Sequence, residues 1–202
     1  MTASTFAPYR TTYADYLAVE SCSEAKHEFI DGVIVAMAGG SLEHNRLELR
    51  MGVLLDGRVR LGCEAYPSNQ RIWVQVSNHV RYSDGMIICG QARLGPHDGQ
   101  AVANPLVIVE VLSSTTANDD KGAKRRDFQS LPSLEAYVLV AQAARRITVF
   151  SRNGAHVRGD AADQVRIYRS GESFDLPGLT APIAVDEIYR GILDESGASL
   201  LR

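Results

Sequence analysis

Cysteine is scarce in this 202-residue chain. The three present, Cys22, Cys63 and Cys89, are odd in number, widely spaced and free of any C-x-x-C pair. Such spacing signals neither a disulfide framework nor a thiolate zinc site, so reduced thiols in a cytoplasmic protein are expected. No apolar run approaches the ~20 residues needed to span a bilayer. The opening stretch, MTASTFAPYRTTYADYL, has no basic segment followed by an apolar one, so neither a signal peptide nor a membrane partner is expected. Positive charge is not in excess either. Lys+Arg number 21 against 24 Asp+Glu, a formal net charge of −3, and the pI is about 6.0. That excludes a global basic field for holding nucleic acid, while leaving room for an enzyme that engages DNA transiently. There is no phosphate loop of the G-x-x-x-x-G-K-[ST] or G-x-G-x-x-G kind, no internal repeat and no low-complexity linker.

What the chain does contain is an ordinary globular balance, 45% hydrophobic and 22% charged, which argues against disorder. Its length suits one domain spanning residues 1–202. A short helix is expected over 12–20, capped by Thr11 or Thr12. In HEFIDGVIVA, Asp31-Gly32 between two β-prone runs predicts a hairpin with a type I′ turn. Ser41 should cap a helix reaching about Leu61, with Leu47, Met51, Leu54, Leu55 and Leu61 on one face and Gly62 as its stop. Strands are expected at 69–76, 80–88, 105–112, 135–141 and 146–151. A polar, exposed loop is expected over 90–104, a helix over 118–131 stopped by Pro132, and a short helix near 186–193. This order predicts an α/β (α+β) fold: a mixed central β-sheet flanked by helices, with an N-terminal β-hairpin.

The chemistry gathers around PLVIVEVLSSTTANDDKGAK, residues 105–124. Glu110 interrupts a run that should be a buried strand, and a buried carboxylate needs a cation or a hydrogen-bonded partner. Strand alternation places Ile108, Glu110 and Leu112 on one face and Val107, Val109 and Val111 on the other. Asp84, in RYSDGMII, again precedes a β-prone apolar run, and two converging carboxylates suit Mg²⁺ or Mn²⁺. Lys124 shares a helical stripe with Lys121, Phe128 and Leu131, so it is expected to point partly inward, although an exposed i,i+4 pair with Asp120 is the simpler alternative. Arg71 could touch a phosphate or pair with Glu110. The basic run KGAKRR at 121–126 could grip a nucleic-acid backbone or form a solvated face.

Taken together, EFIDGVIVAMAGGSLEH, SDGMII and PLVIVEVLSSTTANDDKGAKRRDF resemble the Uma-two family of the PD-(D/E)xK, restriction-endonuclease-like superfamily. The resemblance runs over roughly residues 10 to 190 and rests on Glu28, Asp31, Gly32, His44, Asp84, Glu110, Val111, Leu112, Ser113, Asp120 and Lys124. It implies a restriction-endonuclease-like core in which Asp84 and Glu110 are metal ligands, with the Val111 carbonyl a third. Leu112 stands where the lysine two residues after the glutamate is usually found, and Lys124 on the following helix takes that role. Glu28, His44, Arg71 and Asp120 are expected to border the site. Ser83 replaces the usual proline before the aspartate, and Phe128 the usual helix tyrosine. The activity implied is a Mg²⁺- or Mn²⁺-dependent endonuclease that hydrolyses DNA by metal-activated water; separately, an acidic single domain without a targeting module would gain a second DNA contact as a homodimer. The rival is a catalytically inactive binding or assembly module that keeps the fold and a structural carboxylate cluster.

Overall fold

The computed structural model describes residues 10–113, 120–152 and 164–201. In chain order it forms α1 (Tyr13–Cys22), β1 (His27–Ile30), β2 (Val33–Ala36), α2 (Leu42–Asp56), β3 (Cys63–Pro67), β4 (Arg71–Val74), β5 (His79–Tyr82), β6 (Gly85–Cys89), β7 (Leu94–Gly95) and β8 (Asp98–Val102). There follow β9 (Val107–Leu112), α3 (Ala123–Gln129), β10 (Ala136–Ala141), β11 (Arg146–Ser151), β12 (Gln164–Arg169), β13 (Ser173–Phe174), β14 (Ile183–Ala184) and α4 (Val185–Tyr189).

Two six-stranded sheets carry the fold, where a single central sheet was expected. The first has the order β2-β1-β5-β4-β8-β7 and the second β12-β11-β10-β9-β6-β3. Both are mixed: β4 runs parallel to β8 and β9 parallel to β10, while the remaining neighbours are antiparallel. The alternation read from the sequence holds in β9. Val107, Val109 and Val111 pack against Leu47, Met51 and Leu55 of α2 and Ile188 and Tyr189 of α4. Ile108 turns to the opposite face, among Ile72 and Val74 of the first sheet and Phe128 and Leu131 of the α3 segment. Each such side chain taken out of water contributes roughly 1.5–3 kcal/mol. The second sheet is thus covered by helices on one face, and by the first sheet and α3 on the other.

Local signals account for several boundaries. Thr12 caps α1 in a reciprocal capping box with Asp15, and the Ser41 hydroxyl accepts the N–H of His44 at the start of α2. Asp31 and Gly32 both have positive φ, 50° and 77°, as a type I′ turn requires. Helix α2 ends sooner than expected. Gly57 supplies its C-cap, and Leu61 lies beyond it, fully exposed. Likewise α4 stops at Tyr189. The expected helix over 118–131 is helical at α3, while residues 118 and 119 lie outside the described residues.

Two differences matter more. The run 80–88, expected as one strand, is two: β5 belongs to the first sheet and β6 to the second, and the chain changes layers at Ser83-Asp84. The stretch 90–104 is not simply an exposed polar loop, because β7 and β8 lie within it and Ala101, Val102 and Asp98 are buried. The thiols also depart from expectation. Cys63 and Cys89 stand directly opposite each other in the antiparallel β3–β6 pair and form a disulfide, leaving Cys22 free and exposed. A separation of 26 residues hides a pairing that only the strand register creates.

At Gly32, a Cβ would lie 2.9 Å from Arg10 Cβ on a backbone with φ +77°. Gly32→Ala should therefore destabilise the protein by about 1–2 kcal/mol, read as a lower urea midpoint with an unchanged slope.

Candidate functional site

Asp84 sits where the chain crosses between sheets. Its N–H donates to the Val109 carbonyl (3.1 Å), and its Oδ2 accepts the Val111 N–H at 2.6 Å. The carboxylate is thereby fixed beside Glu110, from the same strand that supplies both backbone groups. Glu110 is fully buried, opposite Leu139 on the face that looks towards the first sheet. Lys124 of α3 descends onto it, with Nζ 2.9 Å from Glu110 Oε1. The same ammonium lies 3.7 Å from Asp120 Oδ1 and 3.9 Å from Glu28 Oε1. Lys124 points inward to Glu110, and in place of an exposed i,i+4 pair Lys124 and Asp120 are both buried. Lys121, assigned to the same stripe, is exposed.

Burial pushes the Glu110 carboxyl well above its usual range, opposed by Lys124 and reinforced by the Asp84 and Asp120 carboxylates. Burial alone would lower Lys124, but Glu110, Glu28, Asp120 and Asp84 outweigh it and hold the amine protonated above its ordinary range. The direction for the pair is clear: four carboxylates act on one ammonium.

Glu28 is more than the hairpin-edge charge it resembles. Only 7% exposed, it accepts the Tyr82 N–H on Oε1 (3.0 Å) and Arg81 NH1 on Oε2 (2.9 Å). Arg81, 1% exposed, also donates Nε to Asp127 Oδ2 at 2.9 Å. His79 extends this network, its Nδ1 2.9 Å from Asp127 and its Nε2 3.1 Å from Asp31 at the hairpin turn. The hairpin, β5 and α3 are thus tied through one buried guanidinium. Sequence reasoning missed Arg81 and Asp127; the signal was Arg81 in a strand flanked by apolar neighbours.

His44 is half-buried, not simply a capping or surface group. Its Nε2 lies 3.4 Å from Asp84 Oδ2 and its Nδ1 3.9 Å from Glu48 Oε2. The hydrogen bond with Asp84 raises its pKa above the ordinary 6.5, against the effect of burial. Glu48 was not anticipated, although its i,i+4 spacing from His44 on a helix was visible. Arg71 does not join the cluster. Facing away from Arg81, it pairs with Asp98 (3.3 Å) and Gln100 (2.8 Å) beside a cavity of about 610 Å³ lined also by Tyr82 and Gln70. In the basic run, Arg125 stacks over the Phe150 ring, 4.6 Å from its centroid, and Arg126 is exposed. Residues 114–116 of the Ser-Ser-Thr-Thr stretch lie outside the described residues.

A mixed sheet flanked by helices, with Asp, Glu and Lys meeting at its buried centre, defines the restriction-endonuclease-like class of α+β folds. A solved structure described as a "putative nuclease belonging to DUF820", from Anabaena variabilis ATCC 29413, shares this fold: TM-score 0.62 at 12% identity, covering 83% of this chain and 91% of that one. The chain belongs to the Uma2 family, whose model, described as "Putative restriction endonuclease", matches residues 13–184. Two Synechocystis sp. (strain ATCC 27184 / PCC 6803 / Kazusa) relatives are similar. "Uncharacterized protein sll1609" is 34% identical over 146 residues, 71% of this chain and 81% of that protein. "Uncharacterized protein slr1290" is 31% identical over 183 residues, 88% and 90% respectively.

Removing the guanidinium would strand Glu28 and Asp127. Arg81→Met is expected to cost about 3–5 kcal/mol, measurable by urea unfolding. His44 gives a pH signature. Because its folded pKa is raised, its stabilisation is complete below 6.5 and fades as pH rises through the folded value. Stability should therefore fall more for wild type than for His44→Ala between about pH 6 and about pH 8, as compared by chemical denaturation at the two values.

Proposed function

We propose that this chain is a divalent-cation-dependent nuclease that hydrolyses phosphodiester bonds in DNA. The observation that carries the reading is the buried convergence of Glu110, Asp120 and Glu28 on the ammonium of Lys124, with Asp84 fixed beside Glu110 by the backbone of β9, in a chain of this family. Arg81 satisfies Glu28 and Asp127, which leaves a surplus of negative charge around Asp84 and Glu110. A divalent cation fits that surplus. Asp84 and Glu110, with the Val111 carbonyl, would hold Mg²⁺ or Mn²⁺, which when bound polarises a phosphate and makes water a stronger nucleophile at neutral pH.

The chain's own groups do the rest. Asp84 is kept in place by the backbone of β9 and so presents its free oxygen in one orientation. The Lys124 ammonium neutralises charge that develops on the phosphate oxygens as water attacks phosphorus and the ester P–O bond breaks. Asp120 and Glu28 keep that ammonium charged and centred. A homodimer would give a second DNA contact to a chain without a basic field. The 2.9 Å Glu110–Lys124 contact favours one other reading, an inactive module in which the pair serves only to neutralise a buried carboxylate.

A plasmid-nicking assay separates the two. Nicking should require Mg²⁺ or Mn²⁺, stop with EDTA, and fall about 10²–10³-fold in Asp84→Asn, Glu110→Gln and Lys124→Met variants that retain the wild-type circular dichroism. Folded wild-type protein that binds plasmid without cutting it in either metal would establish the inactive module.

A further inference from the structure

Helix α2 brings a second set of donors to Asp84. His44 and Glu48 are one turn apart, so both project from the same side of the helix. A ring nitrogen of His44, a carboxylate oxygen of Glu48 and one of Asp84 all lie within 4.8 Å of one another. The three come from two elements fixed independently: α2 by its buried Leu47, Met51 and Leu55, and Asp84 by the backbone of β9.

One further observation points to a ligand there. His44 Nδ1 is buried and has no hydrogen-bond partner, a state that costs free energy unless something accepts its lone pair or its proton. Gly40 packs closely against this edge of the ring. A Cβ on that residue would stand 2.8 Å from His44 Nδ1 and 2.6 Å from Asn45 Oδ1.

We infer that His44, Glu48 and Asp84 together hold a divalent cation, and that the imidazole makes it a first-row transition ion in preference to Mg²⁺. Hard, strongly hydrated Mg²⁺ takes oxygen ligands almost exclusively, whereas an imidazole with two carboxylates suits Mn²⁺ and its heavier neighbours. The ion's use in cleavage rests on the nuclease reading above; its binding does not. Glu48 thereby becomes a ligand, and His44 changes from a residue at the border of the site to one inside it.

Mn²⁺ added to the metal-free full chain tests this by electron paramagnetic resonance. Loss of the free-ion signal reports affinity, and nitrogen modulation of the spin echo reports the imidazole. Wild type should show nitrogen coupling. His44→Ala should lose it and bind at least about tenfold more weakly. Glu48→Gln should bind similarly weakly but keep the coupling, and His97→Ala, at an exposed histidine, should match wild type. Mg²⁺ should displace the ion only at about tenfold excess or more. Bound Mn²⁺ without nitrogen coupling, or Glu48→Gln with wild-type affinity, would overturn the inference. The two readings fail separately: nitrogen-coupled Mn²⁺ without plasmid nicking defeats the nuclease and leaves the site, and nicking with uncoupled Mn²⁺ does the reverse.

Discussion

The Lys124 ammonium lying 2.9 Å from Glu110 is the contact around which the two sheets and α3 are arranged. A carboxylate in the middle of a β-strand, with Ile108 before it and Leu112 after it on the same face, could not stay there alone. The effective penalty for an unpaired buried ion is several kcal/mol. Every element that touches the pair contributes to keeping the ammonium charged. The second sheet supplies Glu110, the layer crossing supplies Asp84, the first sheet supplies Glu28, and α3 supplies Lys124 and the neighbouring Asp120. Hydrophobic packing on either side could have been built without them, so the charge cluster is a cost that the apolar layers offset.

Among the described residues, the buried Arg81 and Lys124 divide the interior between them. Arg81 reaches Glu28 and Asp127 with fixed, planar geometry, and His79 passes the network on to Asp31 at the hairpin turn. That arrangement is suited to holding elements together, since a guanidinium fork is pre-organised and always charged. Lys124, a compact charge on a flexible stem, lies within 4 Å of three carboxylates, those of Glu110, Asp120 and Glu28. Rigidity is concentrated at the arginine, and carboxylate density at the lysine. The second of these is where a mobile cation has something to gain.

Much of the candidate site was legible because its signals are short-range. Glu110 breaks a run of β-formers, Asp31-Gly32 demands positive φ, and Lys124 follows Asp120 by one helical turn. What escaped notice depended on strand partners. Residues 80–88 read as one strand because nothing local marks the step from one sheet to the other at Ser83-Asp84. The short β3, CEAYP, has too few apolar residues to announce itself, and with it went the register that sets Cys63 against Cys89. Arg71 was placed near Glu110 because its strand was right, but its side chain points to the other face and to Asp98. Glu48 looked like an ordinary helix-surface acid until Asp84 was brought beside it.

The parallel pairing of β9 with β10, six residues in register from Ala136↔Val107 to Ala141↔Leu112, has a consequence for the connection between them. Parallel neighbours cannot be joined by a tight turn, so the chain must travel out of the sheet and back. Here the segment that makes this journey contains α3 and therefore Lys124. Because α3 lies within that crossover, the connection that sets β10 beside β9 also carries Lys124 to the face on which Glu110 stands. The same connection thus serves both the register of the central strands and the neutralisation of the carboxylate between them.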